Sequence, residues 1–495
     1  TGHNVSNINT KGYTKQQAGT QAADALRTHT TYGAIGSGVV VTEISQIRDS
    51  YYDVKYRNNM ANYGQYSVKE SYMGQIEDYL DEFTLNGYSQ EYKNFFSAVN
   101  QLTITPGDTS AKNQLINNAK SLADYFNTLT TNLRNVQADA NNEIKDAVQQ
   151  INSYAKNIAA LNRQINQIEA NYGNANDLRD KRNAMIDELS EIVNLETSEE
   201  DMGNNVSNFS VRINGQTLVS SYSYNTLETV ARTDKKNYSD AEGLYDVQWN
   251  SGQKFDMYST SLSGHLKGLI DIRDGNNGEH ENIETDDNGN NVTDSDGNLV
   301  LTTAPAADKT VSYKGVPYYQ AQLNEFAKIF SDAVNKIMKS GYTSDGSSKG
   351  ISLFVTQPNT TVMSAGNITV NPELLKNADL LAIKKEQNDG ESDAKIMEEL
   401  NKLQSEKIFA GGTGSYFLES IVSDMSIDSQ KAVNLYKNYT DLKTSIHNQR
   451  LSIMGVDTDE EAMDMIKYQQ AYNLNSKMMS VMNQIYDKLI NQTGI

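Results

Sequence analysis

The side chains best suited to acid–base chemistry or metal ligation near neutral pH are the histidines, and the sequence has five: His3, His29, His265, His280 and His447. They are scattered, without the short fixed intervals at which metal ligands recur, and solvated or structural roles are the simpler reading. Cysteine is absent, which removes disulfides, thiolate metal sites and Cys nucleophiles together. Asp294, Asp296, Gly297 and Asn298 match part of a calcium loop, but no bidentate Glu follows at the loop's last position, so a solvated turn accounts for them. Gly411-Gly412-Thr413-Gly414 fits no phosphate-binding pattern and reads as a linker. Carboxylate runs such as Glu199-Glu200-Asp201 have no visible apolar pocket to split their pKa values. Neither a G-x-S-x-G elbow nor a Ser–His–Asp arrangement appears. The expectation is a chain that is not an enzyme, with no catalytic residue, no metal and no cofactor.

The bulk properties agree. With 495 residues the chain is long enough for about three domains. The formal charge is 43 − 63 = −20, which argues against nucleic acid, since phosphate binding draws on surplus Lys and Arg. Hydrophobic content is 37%, low in the way expected of a slender molecule that buries less than a sphere. No apolar run is long enough for a transmembrane helix, so no membrane insertion is expected, and no signal peptide is visible. The chain begins at Thr1 and enters a motif almost at once, so an upstream start is expected.

What must position these residues is a helical frame around a strand-rich middle. Residues 1–45 read as loop with some strand; Gly33, Gly36 and Gly38 precede the β-branched run Val39-Val40-Val41. A Tyr-rich helix is expected over 49–86 and a short apolar one over 90–102, then a turn at Thr105–Asp108 with Thr109 or Ser110 as N-cap. Leu133, Val136, Ala140, Ile144, Ala147, Ile151, Tyr154, Ile158, Leu161, Ile165, Ile168 and Tyr172 alternate at spacings of three and four, with one slip at Ala140: a heptad seam about 60 Å long. Such a stripe needs a cover. A returning helix capped by Asn176 or Asp177, with Leu178, Met185, Leu189 and Ile192 on one face, offers it as an αα-hairpin.

From 196 to 414 strands and turns dominate. Phe209, Val211 and Ile213 alternate before the hairpin signal Asn214-Gly215. Residues 275–310, rich in Asn, Asp and Gly, read as an exposed insertion. One amphipathic helix is expected at 318–339. Helix returns with Ala432, Leu435, Tyr439, Leu442, Ile446 and Ile453. After Gly455, Asp457 and Glu460 form a candidate capping box, and Ala471, Leu474, Met478, Val481 and Ile485 stripe the last helix, with Met482 and Leu489 beside them. The predicted fold class is α+β multidomain: terminal core segments at 1–45 and 455–495, a coiled-coil-like helical rod at 46–195 and 415–454, and an inserted β-rich middle at 196–414, as one or two subdomains.

Both ends carry motifs. Asn4-Val5-Ser6-Asn7-Ile8-Asn9-Thr10-Lys11-Gly12-Tyr13 resembles the N-terminal signature of the flagellar rod, hook and hook-associated axial proteins, and Gly38-Val39 with Ile47-Arg48-Asp49 resembles their next block. Gly455-Val456-Asp457-Thr458-Asp459-Glu460-Glu461 with Tyr468-Gln469-Gln470-Ala471-Tyr472 resembles the matching C-terminal signature. Inside the chain, Asn176–Arg182, Gly268–Asp274, Asp332–Asn335 with Gly341-Tyr342 and Leu353-Phe354, and Asn367–Pro372 are similar to the hook-associated members, and not to rod or hook subunits. The family's helix before the first motif is not in this sequence.

The resemblance implies a structural subunit exported through the flagellar channel. It would self-assemble into one ring layer between hook and filament, touching hook protein on one side and the adjoining hook-associated protein on the other. It also implies a cytoplasmic export chaperone on the C-terminal helix, where Leu474, Met478, Val481, Met482, Ile485 and Leu489 are the candidate contacts for chaperone and ring alike. The rival readings are another hook or rod subunit, and a surface adhesin whose middle region is a binding head on a coiled-coil stalk.

Overall fold

The computed structural model describes residues 1–27, 34–81, 88–276, 279–283, 292, 300–305, 312–358, 362–390, 392–409 and 412–492. Gly33, His29, the Asp294–Asn298 turn and most of the 275–310 insertion lie outside them.

The fold is α+β, with helix predominating. A short helix α1 (Gly2–Asn7) opens the segment expected to be loop and strand. It is followed by β1 (Gln16–Ala22), β2 (Leu26–Arg27), β3 (Ala34–Ile35) and β4 (Val39–Gln46), which pair antiparallel as β1 with β4 and β2 with β3. The valine run is strand, as its β-branching requires. Next come α2 (Ser50–Asp81), α3 (Tyr88–Ile104) and α4 (Thr109–Glu169), the last of 61 residues and so about 90 Å long. The cap of α4 is Asp108, not Thr109 or Ser110: its carboxylate accepts from the Ser110 N–H, because the turn brings the side chain one residue earlier over the open amides.

The seam of α4 is buried from Leu133 through Ile165, apart from the half-buried Tyr154, but Ile168 and Tyr172 emerge into solvent. The returning helix α5 (Asn176–Ile192) is only 17 residues long. It covers one end of the seam, and the middle region covers the rest. The residue preceding α5 is Ala175, without a side-chain cap; Asn176 and Asp177 instead turn toward other elements.

The middle region begins with an antiparallel meander of β5 (Glu196–Asp201), β6 (Ser207–Ile213), β7 (Gln216–Ser220) and β8 (Ser223–Tyr224). Asn214 and Gly215 both adopt positive φ at the β6–β7 turn, 50° and 76°, the backbone that a two-residue hairpin asks of Asn-Gly. The rest is small ribbons: β9 (Leu227–Ala231) with β10 (Tyr245–Trp249), and, beyond helix α6 (His265–Asp274), β11 (Glu279–Ile283) with β12 (Leu301–Pro305). Helix α7 (Val316–Ser340) matches the expected amphipathic segment. After it, β13 (Tyr342–Thr343) pairs with β16 (Ala382–Lys384) and β14 (Phe354–Thr356) with β15 (Ile368–Val370), around the short α8 (Pro372–Lys376). Helices α6 and α9 (Lys395–Leu403) were not expected. Residues Leu266–Asp274 of α6 are all buried, so it carries no one-sided stripe to read. In α9 the buried Ile396, Met397, Leu400 and Leu403 do follow helical spacing.

Buried apolar residues form one contiguous core from Val68 to Ala432. At its centre Phe95, Phe96, Phe326, Phe330, Phe354, Phe409 and Phe417 interlock, with ring centroids 4.9–6.3 Å apart. Of the Gly411–Gly414 stretch, Gly411 lies outside the described residues; Thr413 caps α10 (Gly414–Met454), and a Cβ on Gly414 would meet the Tyr92 hydroxyl at 2.5 Å, so Gly414 makes room as well as links. Helix α10 lies antiparallel along α2. The Tyr63 and Tyr436 hydroxyls are 3.5 Å apart, the Tyr66 and Tyr439 rings stack at 5.3 Å, and the Lys443 ammonium sits 3.8 Å above Tyr63. This seam is half-wet, with Leu442 and Ile453 exposed despite their spacing, and Tyr suits it because its ring packs while its hydroxyl stays solvated. Part of the chain's unusual Tyr content has this cause.

Helix α4 holds the middle region with buried amides. Asn166 donates to the Ser207 carbonyl at 2.8 Å and accepts from its N–H at 3.1 Å; Asn152 does the same with Leu227, at 2.8 Å each way. Gln137 accepts from Ala241 N–H and donates to the Arg273 carbonyl, and Asn141 accepts from Tyr245 N–H. Asn152 and Asn166 each read both polarities of a strand edge, so a helix can cap an edge that no other strand pairs. Asn166→Ala is expected to cost about 1–3 kcal/mol by orphaning two backbone groups. Urea unfolding of the purified chain measures it; a loss below about 0.5 kcal/mol would show that water replaces the amide.

Candidate functional site: the joined chain ends

The N-terminal motif folds as α1 and a tight turn that returns into β1. Asn4, 2% exposed, is its centre. Its Oδ1 accepts from the Tyr13 hydroxyl at 2.7 Å and the Gln16 N–H at 3.0 Å; its Nδ2 donates to the Gln16 carbonyl at 3.0 Å and to Glu461 Oε1 at 2.7 Å. The amide thus makes four hydrogen bonds, near the capacity of the group. Asn7 accepts from Thr10 and donates to the His3 carbonyl, closing the turn. Gly12 has φ of 81°, and a Cβ there would lie 2.8 Å from that of Ala184; only glycine combines that backbone with that contact. Asn9 is exposed. Burial, with Asp177, Asp180 and Glu461 nearby, pushes the Tyr13 phenol up to about 12, so it stays a donor.

The C-terminal motif meets this turn. Lys15 N–H donates to the Met454 carbonyl, the last of α10, at 2.8 Å. Gly455 and Val456 are half-buried and link to α11 (Thr458–Asn491); a Cβ on Gly455 would fall 2.4 Å from the Leu451 carbonyl oxygen. Asp457 caps α11, accepting from Asp459 and Glu460 N–H. The expected reciprocal capping box is not made: Glu460 reaches Lys15 Nζ at 2.6 Å instead, and chiefly this hydrogen bond raises the Lys15 pKa. Glu461, 3% exposed, turns inward to Asn4.

Below the turn runs a chain of charges that the sequence did not reveal. Asp180 of α5 accepts from Thr14 N–H and hydroxyl and lies 3.5 Å from Arg48; burial lifts its carboxyl above the ordinary range despite these partners. Arg48 forks onto Asp53 of α2 at 2.6 and 3.1 Å. Arg450 of α10 joins Asp53 at 2.7 Å to Asp187 of α5 at 2.6 Å, and Arg57 closes on Asp187 at 2.8 Å. Forked Arg–carboxylate pairs carry geometric specificity as well as energy, so this chain fixes the angles among α2, α5 and α10.

The internal blocks resolve into similar structural parts. In the first, Asp177 binds His3 and Gln16, Arg179 binds Glu169 and Glu199, and buried Arg182 bonds Asn162 and Glu199 while stacking 3.8 Å over Phe209. In the second, a Cβ on Gly268 would meet the Gln65 carbonyl at 2.6 Å, Asp271 pairs with Lys69 and Lys267 at 2.6 and 2.9 Å, and Asp274 takes Arg232 and Arg273 at 2.8 and 2.6 Å. In the third and fourth, Asn335 clamps the Phe354 backbone and Asn371 caps α8.

Beyond its first turn α11 is bare. From Ala462 to Gln492 every residue except Asp464 is exposed. That includes Tyr468, Gln469, Gln470, Ala471 and Tyr472, and the stripe Leu474, Met478, Val481, Met482, Ile485 and Leu489, whose apolar members are 47–72% exposed. Monomeric soluble proteins rarely expose so continuous an apolar surface; one of this size marks an interaction site.

No acid–base constellation accompanies these parts. His265 lies 3.6 Å from Glu143, with burial lowering its pKa, and His447 packs beside Tyr56. Glu199 of the acidic run is engaged by two arginines. Among the described residues, no group of three or more His, Asp or Glu could hold a metal ion, and no helix is long and apolar enough to cross a membrane.

Residues 73–354 match the family model for the flagellar hook-associated protein FlgK helical domain, and 447–492 match that for the flagellar basal body rod FlgEFG protein C-terminal region. The chain is 26% identical to flagellar hook-associated protein 1 of Bacillus subtilis, over 100% of this chain and 95% of the relative. It is also 26% identical to that of Salmonella typhimurium, over 99% and 96%. The structure of the flagellar hook junction protein FlgK from Burkholderia pseudomallei shares the fold, with a TM-score of 0.63 and 14% identity over 81% of this chain and 100% of that one. Because the first model spans more than half of the sequence, the chain belongs to the flagellar hook-associated protein FlgK family, which is structural and not enzymatic.

Proposed function

We propose that this chain forms the layer joining the flagellar hook to the filament. The single observation that carries the reading is the pairing of a rigid, hydrogen-bonded turn at the joined ends with a bare apolar helix leaving it. That combination suits a subunit whose terminal segments, 1–45 and 455–495, pack side by side in a tube. The rod at 46–195 and 415–454 carries the middle region, 196–414, outward. Neighbours are further copies of the chain, hook protein below and the adjoining hook-associated protein above. Before export a cytoplasmic chaperone covers the stripe Leu474–Leu489, since an apolar helix face of this length is poorly soluble uncovered.

A clean deletion of the gene in the source bacterium tests the reading. Bare hooks in electron micrographs, with unassembled flagellin shed into the medium, are expected. Intact filaments on normal hooks would remove the junction role and leave the adhesin reading in front.

A further inference from the structure

We infer that Tyr63 of α2 and Tyr436 of α10 are a site of oxidative cross-linking, where a dityrosine bond pins the two helices together. The two hydroxyls stand 3.5 Å apart, with ring centroids at 5.5 Å and ring planes 32° from parallel. Phenoxyl radicals couple at the ring carbons next to the oxygen, and the product carries its two oxygens side by side. Hydroxyls already this close put the coupling carbons within a small ring rotation of each other. Other tyrosine contacts are shaped differently. Tyr51–Tyr52 and Tyr318–Tyr319 join sequence neighbours with rings near perpendicular, at 84° and 87°. Tyr66 and Tyr439 lie face to face at 20°, which stacks their rings and orders the seam beside the Tyr63–Tyr436 pair.

Both coupling rings are half-buried, open enough to lose an electron to a reagent in solution yet held by the helices that carry them. The Lys443 ammonium sits 3.8 Å above Tyr63, and a cation over a ring makes that ring harder to oxidise, so the first electron leaves Tyr436. The hydrogen bond with Tyr63 is the main cause that raises the Tyr436 pKa, so near neutral pH the phenol keeps its proton until the electron goes. The oxidant class required is hydrogen peroxide with a haem peroxidase. Each phenol gives one electron to it and its hydroxyl proton to water. The two radicals form one carbon–carbon bond, and the ring hydrogens at the coupled carbons move to the oxygens, restoring both phenols. Peroxide takes up two electrons and two protons and leaves as two waters. The bond closes a loop between residues 373 apart in sequence, and a cross-link restricts the unfolded chain more as the loop it closes grows. In a chain without cysteine it takes the place of a disulfide. Nothing in this chemistry depends on the proposed junction role.

The test treats the purified full chain, kept dilute, with a haem peroxidase and hydrogen peroxide. The monomer, isolated on a denaturing gel, should gain biphenol fluorescence. After tryptic digestion the main cross-linked species should join Asn58–Lys69 to Ala432–Lys437, lighter by two hydrogen atoms than the two peptides together. Cleavage at Lys437 separates Tyr436 from Tyr439, and fragmentation tells Tyr63 from Tyr66. Tyr436→Phe should abolish this species and most of the monomer's fluorescence. Tyr63→Phe should do the same, each with far-UV ellipticity unchanged because the ring is kept. Tyr172→Phe, at a tyrosine 90% exposed and outside the seam, should alter neither readout. The cross-linked monomer should unfold at a higher urea concentration than equally treated Tyr436→Phe. Dityrosine spread over other tyrosines in place of this species, its survival in both variants, or an unshifted urea midpoint would each overturn the site. None of these outcomes bears on bare hooks in the deletion strain, so the two readings fail separately.

Discussion

Asp274→Asn is expected to destabilise the subunit by about 3–5 kcal/mol, the typical loss when one partner of a buried ion pair is removed. Asp274 is fully buried and faces two guanidiniums. Arg232 forks onto it at 3.0 and 2.8 Å, Arg273 does so at 3.0 and 2.6 Å, and the Tyr258 hydroxyl donates to it at 2.8 Å. Burial alone would raise this carboxyl, but the two arginines and their hydrogen bonds outweigh it and hold it well below the usual carboxylate range. Asparagine keeps the shape and loses the charge, leaving Arg232 with the half-exposed Asp246 as its one remaining carboxylate and Arg273 with only the neutral acceptors Asn141 and the Tyr245 carbonyl. The pH dependence has a definite sign. A carboxyl whose folded-state pKa is depressed adds stability above its unfolded pKa, about 4, and loses it as pH falls toward the folded value. The gap between parent and variant should be full at pH 7 and shrink below about pH 4, in parallel urea titrations. A gap that is small at pH 7, or flat across this range, would show that the carboxylate contributes by packing alone.

The other large effect concerns α11. Met478→Asp with Val481→Asp places two carboxylates on a stripe that must be dehydrated to dock, and a charge transferred from water without a partner costs several kcal/mol. Capture of the proposed export chaperone by the variant should fall more than about a hundredfold, and the variant should be missing from purified flagella. The body should keep its stability, because both residues are more than half solvent-exposed or nearly so, at 64% and 50%. Ser476→Asp lies roughly on the opposite face from Met478 and serves as the control, with binding unchanged. Unaltered capture by the double variant would sink the assignment of the stripe, whatever the ring itself does.

Much of the architecture was legible because it is local. The seam of α4 follows from apolar residues at spacings of three and four, and the β6–β7 turn from Asn214-Gly215. The cap of α11 at Asp457 needs only the amides one turn ahead. The two end motifs are likewise contiguous strings, and their order along the chain was enough to suggest the family. Misreadings came where locality ends. The α4 cap fell on Asp108 because the turn geometry before a helix decides which side chain overlies its amides. Helix α6 was missed because it is buried on every side, and burial all round erases the amphipathic period. The seam's far end, Ile168 and Tyr172, is apolar by spacing yet exposed, since α4 ends at Glu169 and Tyr172 sits in the following turn at a φ of 61°, where the helical period no longer sets which way a side chain faces.

By itself, then, the sequence determined most of the helices and turns and the apolar stripe on α11, all of which depend on residues a few positions apart. The tertiary structure alone decided what joins them. Asn4 finds Glu461, Arg450 ties Asp53 to Asp187, Arg232 reaches Asp274, and the amides of α4 dock onto strand edges as far as 104 residues away. The physical reason is that a polar or charged side chain carries no mark of its partner. Asn, Arg and Asp read as surface residues until folding withdraws them from water, and only then does the cost of leaving them unpaired dictate which groups must meet.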